Sequence, residues 1–509
     1  MKTKILLLLL AHFLFIIPVK GQDHISQSEL KKMVENAYET FQPTGLSVAI
    51  IKDGKTIVSE SFGKRSAKTG KPVTNQSIYS IASCTKPFTA SAIGILVQKG
   101  KINWKDKVID YIPEFTLNDP YITRNLTIAD LLSHRSGLST FTGDLLWYHT
   151  NYSNEQIIER MEFLPIENEF RTEFGYQNNM FMIAGEIIER VTGQTWSEFI
   201  TEHFLEPLDM EATTPSNDEL QPNSNIAHPH LNGEQVELYD FKGTKPAASI
   251  MSNIEDLSNW LKMLLNDGIY EGDTILTPQT LEECFAPRTN RRVSKMEQKN
   301  GTNFRAYGLG WEVFDFHGKK VIQHDGGMPG YISKTTIIPE AGLGIVVLNN
   351  GFDFFVHRAL LKQMLDTYFA TDSETNWIKK YGNYQESYAK RKEKSQQKRL
   401  ENRIKSTTPS LKQQLYTGTY KDKMYGTARV EEVNNQLKVT LMPARDILTS
   451  KMKHWHYDTF RVDFKDPFLP FGLVTFDFNA EGAVEGFKID LPSNDFHFKN
   501  LYFKKITNK

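Results

Sequence analysis

Cysteine is nearly absent from this sequence, which holds only Cys84 and Cys284 among its 509 residues. Two cysteines cannot form a disulfide framework, so we expect the fold to depend on its hydrophobic core. Cys84 adjoins Ser83, the candidate nucleophile described below, but the next residue along a helix points about 100° away. We therefore expect Cys84 to pack as a small apolar side chain.

An excess of either charge is also missing, because 60 Lys and Arg residues face 61 Asp and Glu residues. Surfaces that bind nucleic acid or anionic membranes through charge are usually strongly basic. The balance therefore gives no reason to expect a nucleic-acid partner. A chain of 509 residues is longer than a single hydrophobic core usually supports, which predicts two or three domains.

Apolar runs long enough to span a membrane are absent after the first segment of the chain. Residues 5–17 are apolar except for His12, follow a charged head at residues 1–4 and precede Gly21. This order predicts a secretory signal peptide over residues 1–21, and the run is shorter than the ~20 residues that a bilayer needs. No cysteine near Gly21 offers a lipid anchor. We expect a periplasmic or secreted protein without a transmembrane segment after signal removal.

Ser83 and Lys86 stand three positions apart at the start of an apolar run that predicts a helix ending at Gly100. Residues at this spacing share a helix face, so the amine can reach the hydroxyl. A serine becomes a good nucleophile when a neighbouring base takes its proton, and a buried lysine can lose its own proton to serve as that base. The positive end of the helix would also stabilise an oxyanion.

The spacing by itself is weak, because Ser-x-x-Lys also occurs in charged or hairpin segments, for example at Ser28/Lys31, Ser61/Lys64 and Ser395/Lys398. A solvated surface pair is the simpler interpretation of each. Ser83 differs because it stands at the mouth of an apolar helix.

A serine and lysine pair also needs a group that passes a proton to the leaving group. Tyr176 and Asn178 are two positions apart, and in an extended loop such residues point to the same side. The spacing recurs where surface turns are expected, at Tyr152/Asn154 and Tyr381/Asn383. Tyr176 is preferred because an apolar helix follows at once and would fix its loop against the core.

Strand patterns occur at both ends of the first 370 residues, with helical patterns between them. Residues 46–51 and 56–62 flank Asp53-Gly54, a strong hairpin signal. Later strands are predicted at 310–314, 320–324, 335–338 and 344–348, and helices at 26–42, 179–203, 254–266 and 354–369. This order predicts an α+β fold in which early and late strands share one antiparallel sheet flanked by helices.

The rest of the chain changes in character. Residues 371–410 are rich in charged and polar side chains, which is typical of a solvated linker or an exposed helix. From residue 411 onward, short alternating segments predict a small all-β barrel or sandwich. The predicted domains are therefore a signal peptide at 1–21, an α+β domain at 22–370, a charged linker or helix at 371–410 and a β domain at 411–509.

Together these segments resemble the serine β-lactamase and penicillin-binding protein superfamily, in the branch of class C β-lactamases, D-aminopeptidases, DD-carboxypeptidases and related esterases. The resemblance covers about residues 30–370. It rests on Ile81-Ala82-Ser83-Cys84-Thr85-Lys86, Leu131-Leu132-Ser133-His134-Arg135-Ser136-Gly137-Leu138, Tyr176-Gln177-Asn178, Ile187-Ile188-Glu189-Arg190-Val191-Thr192-Gly193, Pro207-Leu208-Asp209-Met210, Tyr307-Gly308-Leu309-Gly310-Trp311 and His324-Asp325-Gly326-Gly327.

The resemblance implies a β-lactamase/transpeptidase-like fold with an all-helical subdomain. It implies Ser83 as the acylated nucleophile and Lys86 with Tyr176 as a shared acid/base pair. Substrate binding would fall to Asn178, a substrate-orienting amide, and to His324, Gly326 and Gly327 on the late strand. The backbone N–H groups of Ser83 and Gly327 would form the oxyanion hole.

One motif departs from the β-lactamases of the superfamily, which carry Lys-Thr-Gly on the late strand. The chain's Lys68-Thr69-Gly70 lies upstream in a turn, and the late strand carries His324-Asp325-Gly326, a variant similar to that of the peptidases and esterases. An imidazole of ordinary pKa, near ~6.5, holds a carboxylate less firmly than lysine at pH 7. We therefore expect weak β-lactam turnover and carboxylate binding that strengthens toward pH 6, unless His324 is a buried structural residue.

The terminal module resembles a lipocalin-like domain often appended to this superfamily, through residues 453–460 and the Asp466-Pro467 turn. We expect it to shape the rim of the cleft. The predicted function is an exported serine hydrolase that forms an acyl-enzyme at Ser83 on an amide, peptide or ester. The alternatives are an acyltransferase, a true β-lactamase and a catalytically silent receptor for β-lactams or cell-wall fragments. The expected partner is a small-molecule or peptide substrate, with no cofactor and no metal, and the oligomeric state stays open.

Overall fold

The computed structural model of the protein describes residues 25–240, 242–369, 371 and 374–506. The predicted signal peptide at residues 1–21 lies outside the described residues and stays a prediction. No helix within the described ranges has the length and apolar character needed to cross a membrane.

An eight-stranded antiparallel sheet forms the centre of the first domain. Its strands, in chain order, are β1 Gly45–Lys52, β2 Lys55–Gly63, β3 Thr289–Arg291, β4 Arg305–Tyr307, β5 Glu312–Phe316, β6 Lys319–Met328, β7 Tyr331–Ile338 and β8 Leu343–Asn349. Their order in space is β2-β1-β8-β7-β6-β5-β4-β3. The first hairpin therefore joins the last strand, with Val48 opposite Val347. The predicted α+β fold with one shared antiparallel sheet is confirmed.

Helices cover both faces of this sheet. The long helices are α1 Gln27–Phe41, α2 Lys86–Gln98, α3 Asn178–Thr192, α4 Ile254–Leu265, α5 Phe355–Tyr368 and α6 Trp377–Glu401. Short helices lie at Val108–Tyr111, Pro120–Asn125, Ile128–Leu132, Asn154–Arg160, Trp196–Ile200, Lys245–Ala248, Pro278–Phe285 and Lys295–Lys299. Local signals set several starts, such as the capping box of Ser26 and Glu29 at α1.

Alternation along the central strands divides the apolar side chains between two cores. Val48 and Ile50 of β1 face the core that contains α1 and α5, whereas Ala49 and Ile51 face the core that contains α2, α3 and α4. Because both faces are covered, the central strands have continuous apolar sequences. The second core extends into the helical subdomain, where Phe88 of α2 stacks on Trp260 of α4 with ring centroids 4.0 Å apart.

The charged segment predicted as a linker or helix contains α6, which begins with the buried residues Trp377 and Ile378 and is otherwise mostly exposed. A closed eight-stranded barrel follows. Its strands are β9 Gly418–Asp422, β10 Gly426–Val433, β11 Gln436–Leu441, β12 Thr449–His456, β13 Thr459–Val462, β14 Gly472–Phe478, β15 Val484–Asp490 and β16 Tyr502–Lys505. The prediction of a small barrel is confirmed.

Aromatic rings fill the interior of the barrel. Phe487 lies 4.9 Å from Tyr420 and 4.9 Å from Phe503, measured between ring centroids. Tyr420, Phe487 and Phe503 are almost fully buried. The interior is therefore a packed core, as expected for a barrel of eight strands whose side chains fill it.

Residues 148–152 are one segment of the first domain that contacts the barrel. Asn151 donates its backbone N–H to the Pro443 carbonyl over 3.1 Å, and the Tyr152 hydroxyl donates to the Tyr425 carbonyl over 2.7 Å. The Tyr148 hydroxyl donates to the Asp466 carboxylate. This segment begins four residues after Asp144, which belongs to the site described next.

Candidate active site

Ser83 lies in one 3-10 turn, Ala82–Thr85, immediately before α2. The sequence predicted Ser83 and Lys86 on the same helix, but the α-helix begins at Lys86. Pro87 accounts for this start, because proline lacks an N–H and fits only the first turn of a helix. Ala82 has a φ of 45°, a left-handed backbone conformation that residues other than glycine rarely adopt. Strain of this kind beside a reactive side chain is typical of functional sites.

Lys86 is fully buried beneath Ser83. Its Nζ donates to Ser83 Oγ over 3.1 Å, to Asn178 Oδ1 over 2.6 Å and to the Ala247 carbonyl over 3.0 Å. Burial lowers the pKa of Lys86 to about 7, although the Asp144 carboxylate opposes that shift. A substantial fraction of this amine is therefore neutral near pH 7, which lets it accept a proton from Ser83.

Tyr176 lines the same cavity as Ser83, and its ring centroid lies 4.7 Å from Lys86 Nζ. Its backbone is held by the 2.8 Å bond from the Phe141 N–H to the Tyr176 carbonyl. Burial raises the pKa of Tyr176 far above its ordinary value. The phenol therefore stays protonated and can give a proton to a leaving group.

Asn178 connects Lys86 to a carboxylate that the sequence analysis missed. Its amide oxygen accepts from Lys86, and its Nδ2 donates to Asp144 Oδ2 over 2.7 Å. Asn178 is the first residue of α3, so the prediction of an extended loop through it is wrong, although Tyr176 and Asn178 do line one cavity. Gln177 is the extended N-cap residue that precedes the helix.

Asp144 is almost completely buried, and burial raises its pKa to about 7. Its attraction to the Lys86 ammonium favours the charged form of both groups and so opposes the effect of burial on each. The available sequence signal was a single acidic residue directly before the apolar run Leu145-Leu146-Trp147-Tyr148. An acidic residue that is buried in this way is usually paired with a specific partner.

The free edge of β6 brings the predicted oxyanion-hole glycine toward Ser83. Strand β5 pairs with β6 only as far as Gln323, so the last residues of β6 have one uncovered edge. Met328 and Tyr331 close the two-residue turn to β7, and Gly327 is one pair further along. In an antiparallel pair of strands, hydrogen-bonded and non-hydrogen-bonded residue pairs alternate. The pair next to the turn is hydrogen-bonded, so Gly327 belongs to a non-hydrogen-bonded pair and directs its N–H away from β7, toward the uncovered edge. Its role in an oxyanion hole stays a prediction.

Gly326 has a different position from the one predicted, because it packs behind the cavity and does not line it. A Cβ at this position would lie 2.2 Å from the Ile81 carbonyl oxygen and 2.1 Å from Ser333 Oγ. Only glycine therefore lets β6 approach the turn that carries Ser83. Cys84 fills the same junction, with its Sγ 3.2 Å from the His324 carbonyl, in the packing role expected for it.

His324 lines the cavity, but it is only 4% exposed. Its Nδ1 lies 2.7 Å from the Asp325 carbonyl, which can only accept, so Nδ1 carries the proton and Nε2 accepts from the Tyr307 hydroxyl at 2.7 Å. Burial and the nearby Lys86 lower the pKa of His324 to about 4. The expectation that His324 becomes charged near pH 6 is therefore wrong.

Fixed charges enter the cavity from β3 and β4, two short strands that the sequence patterns did not predict. Arg291 of β3 and Arg305 of β4 both pair with Glu312 of β5. Burial opposes ionisation of Glu312, but the two arginines together hold its pKa below the ordinary value. Arg358 of α5, which is exposed, also lines the cavity.

The cavity has a volume of 570 Å³, which is in the usual range for small-molecule sites. Ser83, Tyr176, Asn178, His324 and Gly327 line it, whereas Lys86 lies behind Ser83. The barrel supplies part of the wall through Phe468, Asp495 and Phe496. Within the described ranges, no three His, Cys, Asp or Glu side chains are placed to hold a metal ion.

Comparison with known proteins assigns both parts of the chain. Residues 30–368 match the Beta-lactamase family model, and residues 402–505 match a Domain of unknown function (DUF3471).

Two relatives illustrate the similarity. Protein flp of Staphylococcus aureus (strain MW2) is 26% identical over 333 residues, which are 64% of this chain and 63% of that protein. The chain thus spans less than two thirds of the length of this relative. Unguisins hydrolase ungD' of Aspergillus campestris (strain IBT 28561) is 26% identical over 373 residues, which are 69% of this chain and 68% of that protein.

Among solved structures, the octameric penicillin-binding protein homologue from Pyrococcus abyssi superposes with a TM-score of 0.60. The match covers 94% of this chain and 99% of that one at 20% sequence identity. This similarity establishes the fold.

Proposed function

We propose that this chain, which belongs to the Beta-lactamase family, is a serine hydrolase that forms an acyl-enzyme at Ser83. The observation that carries the proposal is the 3.1 Å contact between Ser83 Oγ and Lys86 Nζ, an amine whose pKa burial lowers to about 7. A nucleophile in contact with a base that is available near neutral pH is the arrangement that serine acylation needs.

In the proposed acylation step, neutral Lys86 takes the Ser83 proton as Oγ attacks the substrate carbonyl carbon. The carbonyl oxygen becomes an oxyanion, which the N–H groups of Ser83 and Gly327 stabilise. Tyr176 then gives its proton to the leaving amine or alcohol as the bond to that group breaks, and it regains a proton from Lys86. This sequence leaves an ester on Ser83 and returns both bases to their starting states.

In the proposed second step, water replaces the leaving group. Neutral Lys86 accepts a proton from this water as the water oxygen attacks the acyl carbon. Ser83 Oγ then leaves with that proton, which releases the acid product and returns Lys86 to its neutral state. The similarity to Unguisins hydrolase ungD' favours water over an alcohol or amine acceptor. We propose amides, peptides or esters as substrates.

The environment of His324 argues against β-lactams as the main substrates. Burial keeps the imidazole neutral, because its pKa lies at about 4, so no positive charge stands where the β-lactamases of the family have lysine. A neutral ring can bind a carboxylate by one hydrogen bond but cannot attract it by charge.

The test is covalent labelling by a fluorophosphonate, followed by intact mass analysis. We expect wild type to gain one adduct and Ser83→Ala to gain none. Ser395→Ala is the matched control, because Ser395 has the same spacing to Lys398 on exposed α6. An adduct that persists in Ser83→Ala would rule out Ser83 as the nucleophile.

A further inference from the structure

We infer that the cavity contains an aromatic subsite, formed by both domains, that binds an uncharged aryl group of the substrate. The inference rests on the proposed function, since it names the class of substrate for the same site. The subsite consists of Phe352, Phe354, Phe468, Phe496, Tyr148 and Trp147, which we call the aromatic belt. All six line the cavity that contains Ser83.

The belt is continuous across the domain boundary. Phe352, on the loop after β8, lies 4.9 Å from Phe354 and 5.3 Å from Phe468 of the barrel, measured between ring centroids. Phe468 lies 6.3 Å from Phe496. Phe496 in turn lies 3.5 Å from Tyr148 and 5.9 Å from Trp147. Rings at these separations form one apolar wall.

One end of the belt adjoins the predicted oxyanion hole. A Cβ on Gly327 would lie 3.3 Å from Cε1 of the Phe354 ring, so this ring covers the strand beside the reacting carbonyl. The other end reaches Trp147, on the segment that begins with Asp144. A group bonded directly to the scissile carbonyl, or to its leaving atom, would therefore meet the belt.

The side chains of two belt residues are partly exposed. Phe352 is 36% exposed and Phe354 is 37% exposed, although both belong to the wall of a cavity. Binding of an apolar ligand is favourable where it covers apolar area that is exposed inside a concave site. Ring edges and faces together favour a flat aromatic occupant, through offset or edge-to-face contacts.

Charges on this side of the cavity do not favour an ionised occupant. Asp495 and Arg358 both line it and have opposite signs, so neither an anion nor a cation meets only attraction. Burial raises the pKa of Asp495 above its ordinary value, the direction that disfavours its charged form. The belt therefore selects by shape and apolar area, and we assign it to an uncharged aryl group.

The experiment compares three esters: ethyl acetate, ethyl phenylacetate with the ring on the acyl side, and benzyl acetate with the ring on the alcohol side. We expect wild type to have a higher kcat/KM for at least one aryl ester than for ethyl acetate. Phe354→Ala and Phe468→Ala should lower that aryl kcat/KM about tenfold, the usual effect of removing apolar contact in a pocket. Because Phe354 also packs against Gly327, the deciding quantity is the ratio of kcat/KM for the aryl ester to kcat/KM for ethyl acetate, which should fall about tenfold in each variant.

Phe163→Ala is the matched control, because Phe163 is 40% exposed and lies outside the cavity. Phe354→Leu keeps apolar volume without a ring, so it separates aromatic contact from bulk. Equal kcat/KM values for all three esters in wild type would overturn the subsite. An equal loss on all three esters in Phe354→Ala would also overturn it, since that pattern indicates a general defect.

A binding measurement distinguishes failure of the subsite from failure of the proposed function. Calorimetry with Ser83→Ala, titrated with phenylacetamide and with acetamide, needs no turnover. Tighter binding of phenylacetamide, lost in Ser83→Ala/Phe354→Ala, supports the subsite even if wild type cleaves no ester. Ester turnover without any aryl preference, in turnover or in binding, would leave the acyl-enzyme proposal standing and overturn the subsite.

Discussion

At the scale of single residues, a buried chain of polar contacts controls Lys86. The Asp144 carboxylate accepts a hydrogen bond from Asn178 Nδ2, and Asn178 Oδ1 accepts one from Lys86 Nζ. The carboxylate therefore fixes the orientation of the Asn178 amide. The same carboxylate attracts the Lys86 ammonium and raises its pKa, whereas burial lowers it. Asp144 is thus a positioning residue for the proposed base.

Asp144→Asn should therefore change both the rate and the pH profile of Ser83 acylation. Loss of the negative charge lets burial lower the pKa of Lys86 further, so the acid limb should move to lower pH. Loss of a pure acceptor lets the Asn178 amide rotate, and we expect about a tenfold to hundredfold slower reaction, as for a misplaced group. Rates of fluorophosphonate labelling as a function of pH would measure both effects. An unshifted acid limb would show that Asp144 does not act on Lys86.

At the scale of elements, β6 must come close to the turn that carries Ser83, and Gly326 permits this approach. A Cβ at Gly326 would meet the Ile81 carbonyl oxygen and Ser333 Oγ, and both of these residues are buried. The distance between strand and turn is therefore a structural requirement of the site. It also sets where the Gly327 N–H lies.

Gly326→Ala should separate β6 from the Ser83 turn. We expect a loss of about 1 to 3 kcal/mol of unfolding free energy, as for overpacking, together with much slower labelling. Gly351→Ala is the matched control, because the nearest atom to its Cβ would lie 3.7 Å away. Thermal unfolding and labelling rates test this prediction. Wild-type labelling by Gly326→Ala would show that the approach is not needed.

The same scale shows why sequence patterns predicted some elements and missed others. The hairpin at Asp53-Gly54 and the strands near 320–348 have strong turn or apolar signals, and they were predicted within a few residues. Strands β3 and β4 have three residues each and expose arginine side chains toward the cavity, so they carry no alternating apolar pattern. Their arginines were missed for that reason.

The site residues likewise divide into those that a local sequence motif predicted and those that it did not. Ser83, Lys86 and Tyr176 stand in local motifs, and the structure brings these three side chains together. Asp144 reaches Asn178 only through the tertiary fold, and a single carboxylate has no motif. The charge of His324 was misjudged because burial, which a sequence does not show at one position, lowers its pKa to about 4.

At the scale of the whole molecule, the candidate site depends on both domains. The barrel has a packed interior and places Phe468, Asp495 and Phe496 in the cavity wall. Its contact through Asp466 and Tyr148 also holds the segment that follows Asp144. Residues 148–152 therefore connect the barrel, which forms part of the cavity wall, to the segment that follows Asp144, the residue that positions Lys86.

The central claim is that buried Lys86 activates Ser83, and the pH dependence of acylation tests it most directly. The rate of fluorophosphonate labelling of the whole chain would be followed by intact mass from about pH 5 to about pH 9. Only neutral lysine can accept the proton, and its pKa lies at about 7. The rate should therefore rise about tenfold per pH unit below that value and level off above it. A rate that stays constant across this range, or a labelling rate in Lys86→Ala equal to that of wild type, would contradict the account.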